Sequence, residues 1–310
     1  MLSDSADKLF TSSPYNRDLN PVHKSYLSRE RKLLTVLDHE SLVRSANELE
    51  PLPQSVQRLS TLTEDPNCEI RDIVRAVELD ASLAGKLLRL ASSSAYGQGN
   101  VTSIDSAVVR LGFDTVKSIA VASSVQPIQS LDLSFFDLTP KSYWRHSVAT
   151  LSFAEELAAQ THRRFKDLPM AALLHDYGKL VLSEHINDHH IELQRNRHPD
   201  TPAHEHEMCY LSVNHAEVSA VVAQAWNLPE ELVRAIQYHH TPAMADNPIC
   251  YGLTLANHLA WRLESRDDKF DQESESRESA FEALNLTENE FELILEKGTK
   301  RLHEIMTIYN

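Results

Sequence analysis

Apolar residues recur along this 310-residue chain at helical spacing, and no segment alternates with the period of two that a half-buried strand requires. Ile70, Ile73, Val74 and Val77 stand at i, i+3, i+4 and i+7, so they would share one face of a helix. Asp80 is placed to cap the next segment, ASLAGKLLRLAS, because a short side-chain oxygen can accept from the unpaired N–H groups of a first turn. In SIDSAVVRLGFDTVKSIAVASSV, Gly112 follows the run Ile104 to Leu111 as the residue after a helix end, and Asp114 can cap the next helix. Thr287 with Glu290 fits a capping box ahead of Phe291, Ile294, Leu295, Leu302 and Ile305. Seven glycines are too few for a turn-rich β architecture. The expected fold is all-α.

Residues 1–45 are expected to form a polar, partly helical extension, with Leu33, Leu34, Leu37 and Leu42 as one apolar stripe. A single domain is expected over 46–262. Within it, 46–130 forms a small helical lobe and 140–262 a helical bundle, joined by a Pro-containing stretch that favours turns. Residues 265–280 are charged and nearly free of apolar side chains, which predicts a solvated loop. A last helix over 281–310 would pack back on the body.

Charge narrows the function classes. The formal net charge of −15 would repel a phosphate backbone, so general nucleic-acid binding is disfavoured. The helix, turn, helix unit at 104–122 offers only Arg110 and Lys117 as basic residues, too few for a DNA-reading surface. Cys68, Cys209 and Cys250 lie far apart with no C-x-x-C spacing, which suits a reducing compartment and predicts a cytoplasmic protein. The first residues, MLSDSADKLFTSSPYNRD, lack a basic region followed by an apolar run, and no stretch of about 18 apolar residues occurs. Neither secretion nor a membrane partner is expected.

Histidine is the unusual residue: the chain has 16, and thirteen of them fall between positions 142 and 264. His175 and Asp176 follow the apolar run Met170 to Leu174. A neighbouring His and Asp can serve a divalent ion, the carboxylate bridging two ions where they lie off the helix axis; alternatively they are polar groups at a capped helix end. His146 in YWRHSVATL, His215 in NHAEVSAVV, and His239 with His240 in AIQYHHTP each stand at or inside a helical pattern, so several helices could bring them to one point. The doublet falls just before Pro242, where a chain leaves the helix. Asn257, four residues after Leu253 on LTLANHLAWRLE, should face inward, and a buried amide needs partners, either ligand histidines or a backbone carbonyl. Lys179, one helical turn after His175, could hold a phosphate oxygen or cap the rim of the site. His162, His185, His189, His190, His198, His204, His206 and His258 are expected on the surface or in local caps. Trp144 and Trp226 are expected to pack in amphipathic helices.

The order and spacing of IVRAVELDASLAGKLLRLASSSAYG, IDSAVVRLGFDTVKSIAVA, YWRHS, AALLHDYGKLVL, HAEVSAVVAQAWNLPEELVRAIQYHHTP and LTLANHLA resemble the HDOD-domain family over about residues 46–262. HDOD proteins are bacterial signalling proteins related to the HD metal-dependent phosphohydrolases. The resemblance implies a small helical lobe followed by an HD-like bundle, and a regulatory module that contacts other signalling proteins. Many HDOD domains lack the metal ligands of HD enzymes, whereas this chain keeps most of them. By resemblance, His146, His175, Asp176, His215, His239 and His240 fall on metal-ligand positions, and Lys179 on the lysine that follows the His-Asp pair. A divalent centre of iron, manganese or zinc, with one or two ions, is therefore expected. Asn257 stands where the HD pattern carries a ligand Asp, as a replaced ligand or a supporting group. Thr241-Pro242 replaces the Glu and Gly-Tyr-Pro flank of the cyclic-dinucleotide phosphodiesterases. The alternative implied function is a metal-dependent phosphohydrolase, with Asp176 and Lys179 as its catalytic groups and a phosphorylated small molecule as substrate. The flanks outside the match are expected to be too short for a receiver or cyclase domain.

Overall fold

The computed structural model describes residues 58, 59 and 62 and the span 68–309, except 79, 94–95, 97–98, 125–130, 161–164, 166, 187–200, 246 and 265–273. The stripe expected at Leu33 to Leu42 and the extension that carries it lie outside the described residues. Among the described residues there are helices and no strands. The first lobe holds α1 (Ile70–Glu78), α2 (Ala81–Ala91), α3 (Ile104–Leu111) and α4 (Phe113–Ser124). A 3₁₀ turn at Ser134–Phe136 leads to α5 (Pro140–Gln160), α6 (Leu168–Leu174), α7 (Tyr177–His185), α8 (Ala203–Leu211), α9 (His215–Ala225) and α10 (Glu230–Gln237). After a second 3₁₀ turn, Pro242–Met244, come α11 (Pro248–Glu264), α12 (Ser274–Leu284) and α13 (Glu288–Tyr309).

The local signals act as short-range chemistry requires. Asp80 caps α2 by accepting from the Leu83 N–H at 3.0 Å. Thr287 and Glu290 exchange bonds at the start of α13, with Glu290 Oε2 2.8 Å from Thr287 N and Thr287 Oγ1 3.3 Å from Glu290 N. Gly112 takes a positive φ of 78°, and α4 starts at Phe113, so Asp114 is the second residue of that helix and not the residue before it. Gly112 already ends α3 and opens α4, since its carbonyl accepts from Val116 N at 3.2 Å. Ile73, Val74 and Val77 are buried as expected, whereas Ile70, the first residue of α1, is 48% exposed. The charged loop expected over 265–280 does not hold for residues 274–280. Residues 274–284 form α12, whose Ala280 and Leu284 pack into the core, so the C-terminal segment is two helices instead of one.

One apolar core runs through both lobes, from Leu87, Val108 and Ile119 to Phe153, Leu173, Ile236 and Leu253. The lobes are also joined by polar pairs. Lys117 on α4 is buried against Asp167, which precedes α6, at 3.1 Å. Within the first lobe, Arg110 donates to the carbonyls of Ala91 and Gly99. Both basic side chains of the 104–122 segment are thus spent inside the fold. Arg301 on α13 bridges Glu155 at 3.1 Å and Glu156 at 3.2 Å on α5, and lies 5.1 Å from the Tyr96 ring of the first lobe. Trp144 is buried, and Trp226 meets Tyr177 edge-on at 5.1 Å, so both pack as expected.

α7 packs closely against α9. A Cβ at Gly178 would strike the backbone carbonyl oxygen of His215 and come within 2.8 Å of Ser219 N. Gly178 N–H donates to Ser219 Oγ at 2.7 Å across the same contact. Backbone has no rotamer by which to give way, so any side chain here must part the helices. Gly178→Ala should lower unfolding free energy by at least about 2 kcal/mol in denaturant titration, and a change below about 0.5 kcal/mol would contradict this packing.

Candidate metal centre

Each donor reaches the interior for a local reason. His146 lies midway along the buried face of α5. His175 ends α6, and Asp176 stands before the first residue of α7 without making a side-chain cap bond. The reading of this pair as a capped helix end therefore fails: the carboxylate turns to other side chains. His215 is the first residue of α9, placed by an Asn214–Glu217 capping box in which Glu217 N–H donates to Asn214 Oδ1 at 3.0 Å. His239 and His240 follow α10, where the approach of Pro242 ends the helix. Their carbonyls are held by Thr254 Oγ1 and Ser276 Oγ, each at 2.7 Å.

Asp176 is the hub. One oxygen lies 2.7 Å from Lys179 Nζ, 3.6 Å from His175 Nε2 and 3.8 Å from His146 Nε2. The other lies 3.1 Å from His215 Nε2. His240 Nε2 is 3.0 Å from His215 Nε2, and the His239 ring is within 4.0 to 5.5 Å, centre to centre, of those of His240, His175 and His215. All seven sequence-predicted residues and Lys179 converge, and all are buried. Their donor atoms fall into two groups within 4.8 Å, one of His146, His175 and Asp176 and one of His215, His239 and His240.

Protonation follows from the partners. His175 Nδ1 is 2.9 Å from the Ala172 carbonyl and His239 Nδ1 is 2.7 Å from the Ile236 carbonyl. A carbonyl only accepts, so each Nδ1 carries the proton and each Nε2 presents its lone pair. Both Nε2 atoms are buried without a hydrogen-bond partner. Burial holds His175 down to about 3 and keeps His239 well below the usual imidazole range, so both rings are neutral at neutral pH. Burial alone would raise Asp176, but His175, Lys179 and His215 hold it well below the usual carboxylate range. A neutral imidazole with Nδ1 fixed to a carbonyl and Nε2 unpartnered is the state in which histidine binds a transition metal. The residues present therefore fit a divalent ion.

Three features depart from the sequence reading. His204, His206 and His258 are buried instead of superficial; His204 stacks on His240 at 4.2 Å and His206 on Phe135 at 5.8 Å. Short polar helices look solvated when only their own composition is read, and α8 is covered by neighbours distant in sequence. His185 is partly buried and bonds the Val181 carbonyl at 3.0 Å, a local contact as expected, while His162, His189, His190 and His198 lie outside the described residues. Lys179 is an interior partner of Asp176 and not a rim group. Glu207 and Trp261 were not among the sequence candidates. Glu207 holds His215 Nδ1 at 2.7 Å, and Trp261 lies 4.7 Å from the His146 ring and 5.9 Å from Lys179 Nζ. Trp261 could have been found as the residue one turn beyond Asn257 on α11.

The family model described as the HDOD domain matches residues 49–242. The chain belongs to the HDOD family. An uncharacterized protein of Treponema pallidum (strain Nichols) is 28% identical over 206 residues, 64% of this chain, and this HDOD chain spans only 39% of that relative's length. A provisionally named signal transduction protein of Marinobacter aquaeolei VT8 is 25% identical, with a TM-score of 0.64 over 96% of this chain and 67% of that one. A provisionally named phosphohydrolase of Shewanella amazonensis SB2B is 22% identical, with a TM-score of 0.64 over 87% of this chain and 98% of that one. Among the described residues, no helix is long and apolar enough to cross a membrane.

Asn257 Oδ1 lies 3.0 Å from His146 Nε2, the nitrogen that also faces Asp176 and that would give up any proton to serve as a metal ligand. An amide there offers an oxygen but no charge. Asn257→Asp should tighten divalent-metal binding roughly ten-fold, since affinity in such sites rises with ligand charge; chelator competition would measure it, and unchanged or weaker binding would contradict the placement.

Proposed function

We propose that this HDOD chain is a cytoplasmic regulatory module of bacterial signal transduction that holds divalent iron, manganese or zinc and acts by contacting other signalling proteins. The observation that carries the metal reading is the pair of buried Nε2 lone pairs on His175 and His239, each with Nδ1 fixed to a carbonyl. Leaving such acceptors unpaired costs on the order of 1–3 kcal/mol each, and an ion recovers it. His146, His175 and Asp176 would hold one ion and His215, His239 and His240 a second, with the two Asp176 oxygens facing the two groups. Imidazole-rich donors with a single carboxylate favour transition metals over magnesium.

Regulation is favoured over turnover by three features of the same residues. Asn257 removes a charge from the ligand set, Thr241-Pro242 stands where the cyclic-dinucleotide enzymes carry their flank, and every proposed donor is buried. The second reading, a metal-dependent phosphohydrolase, draws on Lys179, whose ammonium beside Asp176 is placed to meet a phosphate oxygen. A bound ion would supply Lewis acidity and a more acidic bound water; Lys179 would supply a fixed positive charge. Binding needs ligands alone, whereas turnover needs an open coordination position and a placed substrate.

Protein purified with added Mn²⁺, Fe²⁺ or Zn²⁺ should carry stoichiometric metal by elemental analysis and turn over neither a generic phosphodiester nor cyclic nucleotides. His175→Ala and Asp176→Ala should lose the metal. Absence of metal in the wild type would overturn the metal centre, and turnover abolished by both substitutions would replace the regulatory reading with the enzymatic one.

A further inference from the structure

Behind His215, on the side away from Asp176, stands a second buried carboxylate. Glu207 is 1% exposed. Its oxygens lie 2.7 and 2.9 Å from His215 Nδ1, and the nearer one also accepts the His215 backbone N–H at 2.6 Å. The chain makes this contact by folding back within three residues. α8 ends at Leu211, Ser212 takes a left-handed φ of 59°, Asn214 caps α9, and His215 opens it. Glu207, one turn before the end of α8, then faces the start of α9, where backbone N–H groups have no helical partner. One carboxylate thus fixes the ring and the backbone of the same residue.

We propose that Glu207 is a positioning residue that prepares His215 as a metal ligand and completes the His215, His239 and His240 group; this rests on the metal reading above. Imidazole ligands bring no charge of their own to a divalent ion, and the nearby Asp176 is already shared with Lys179. Glu207 supplies the missing charge from behind. It accepts the Nδ1 proton, aims Nε2 at the centre, and raises the basicity of the donor nitrogen. The same helix steadies the neighbouring ligand, since His204 stacks nearly parallel on His240, at 14° and 4.2 Å. α8 is therefore the orienting element of one half of the centre.

The wild type, Glu207→Ala and Glu207→Gln would be titrated with Zn²⁺ against a chromophoric chelator and with Co²⁺ followed by its d–d absorption. Glu207→Ala should weaken one bound equivalent by roughly 10- to 100-fold and alter the cobalt spectrum, and Glu207→Gln, which keeps an acceptor without the charge, should fall between it and the wild type. If alanine prevents folding, the glutamine variant carries the test alone. Retention of every equivalent within about two-fold, whatever the change in metal-free melting temperature, would leave Glu207 a structural residue and overturn the inference. Wild-type protein that takes up no metal would overturn the metal reading and this inference together.

Discussion

The carboxylate of Asp176 is the interaction on which the arrangement depends. A carboxylate buried to 1% exposure would be costly by several kcal/mol unless paired, so its partners are fixed as firmly as the core. Lys179 from α7 takes one oxygen, His215 from α9 the other, and His146 and His175 stand within 4 Å. The helices can meet this closely only because Gly178 lies where α7 crosses the backbone of α9. The glycine that permits the packing and the carboxylate that uses it are two residues apart.

Much of this was legible in the chain. The period of the apolar residues fixed the class, and Asp80, Gly112 and the Thr287–Glu290 box marked real helix ends, because capping is decided within four residues. The convergence of His146, His175, Asp176, His215, His239, His240 and Asn257 could be read from their positions at or inside helical patterns and from resemblance to HDOD sequences. Glu207 and His204 could not. In AHEHEMCYL they sit in a helix with polar side chains on every side, and they become interior only because α9 and the His239–His240 corner cover them. The 265–280 loop failed for the opposite reason: Ala280 and Leu284 are few but sufficient to seat α12 on α11.

The C-terminal helices lie beyond the family match at 49–242 and yet touch the site. Ser276 of α12 bonds the His240 carbonyl, and α13 runs along α5, the helix of His146, with Arg301 tying α5 to Tyr96 of the first lobe. The buried Lys117–Asp167 pair joins α4 to the start of the helix that ends in His175. These contacts tie the first helices of the described chain to the elements that carry the proposed ligands.

Anomalous scattering from metal-loaded crystals, recorded on either side of the absorption edge of the added ion, tests the central claim most directly. The account predicts density about 2.1 Å from His175 Nε2 and from His239 Nε2, with Asp176 between. Density confined to exposed histidines, or an interior without any, would contradict it.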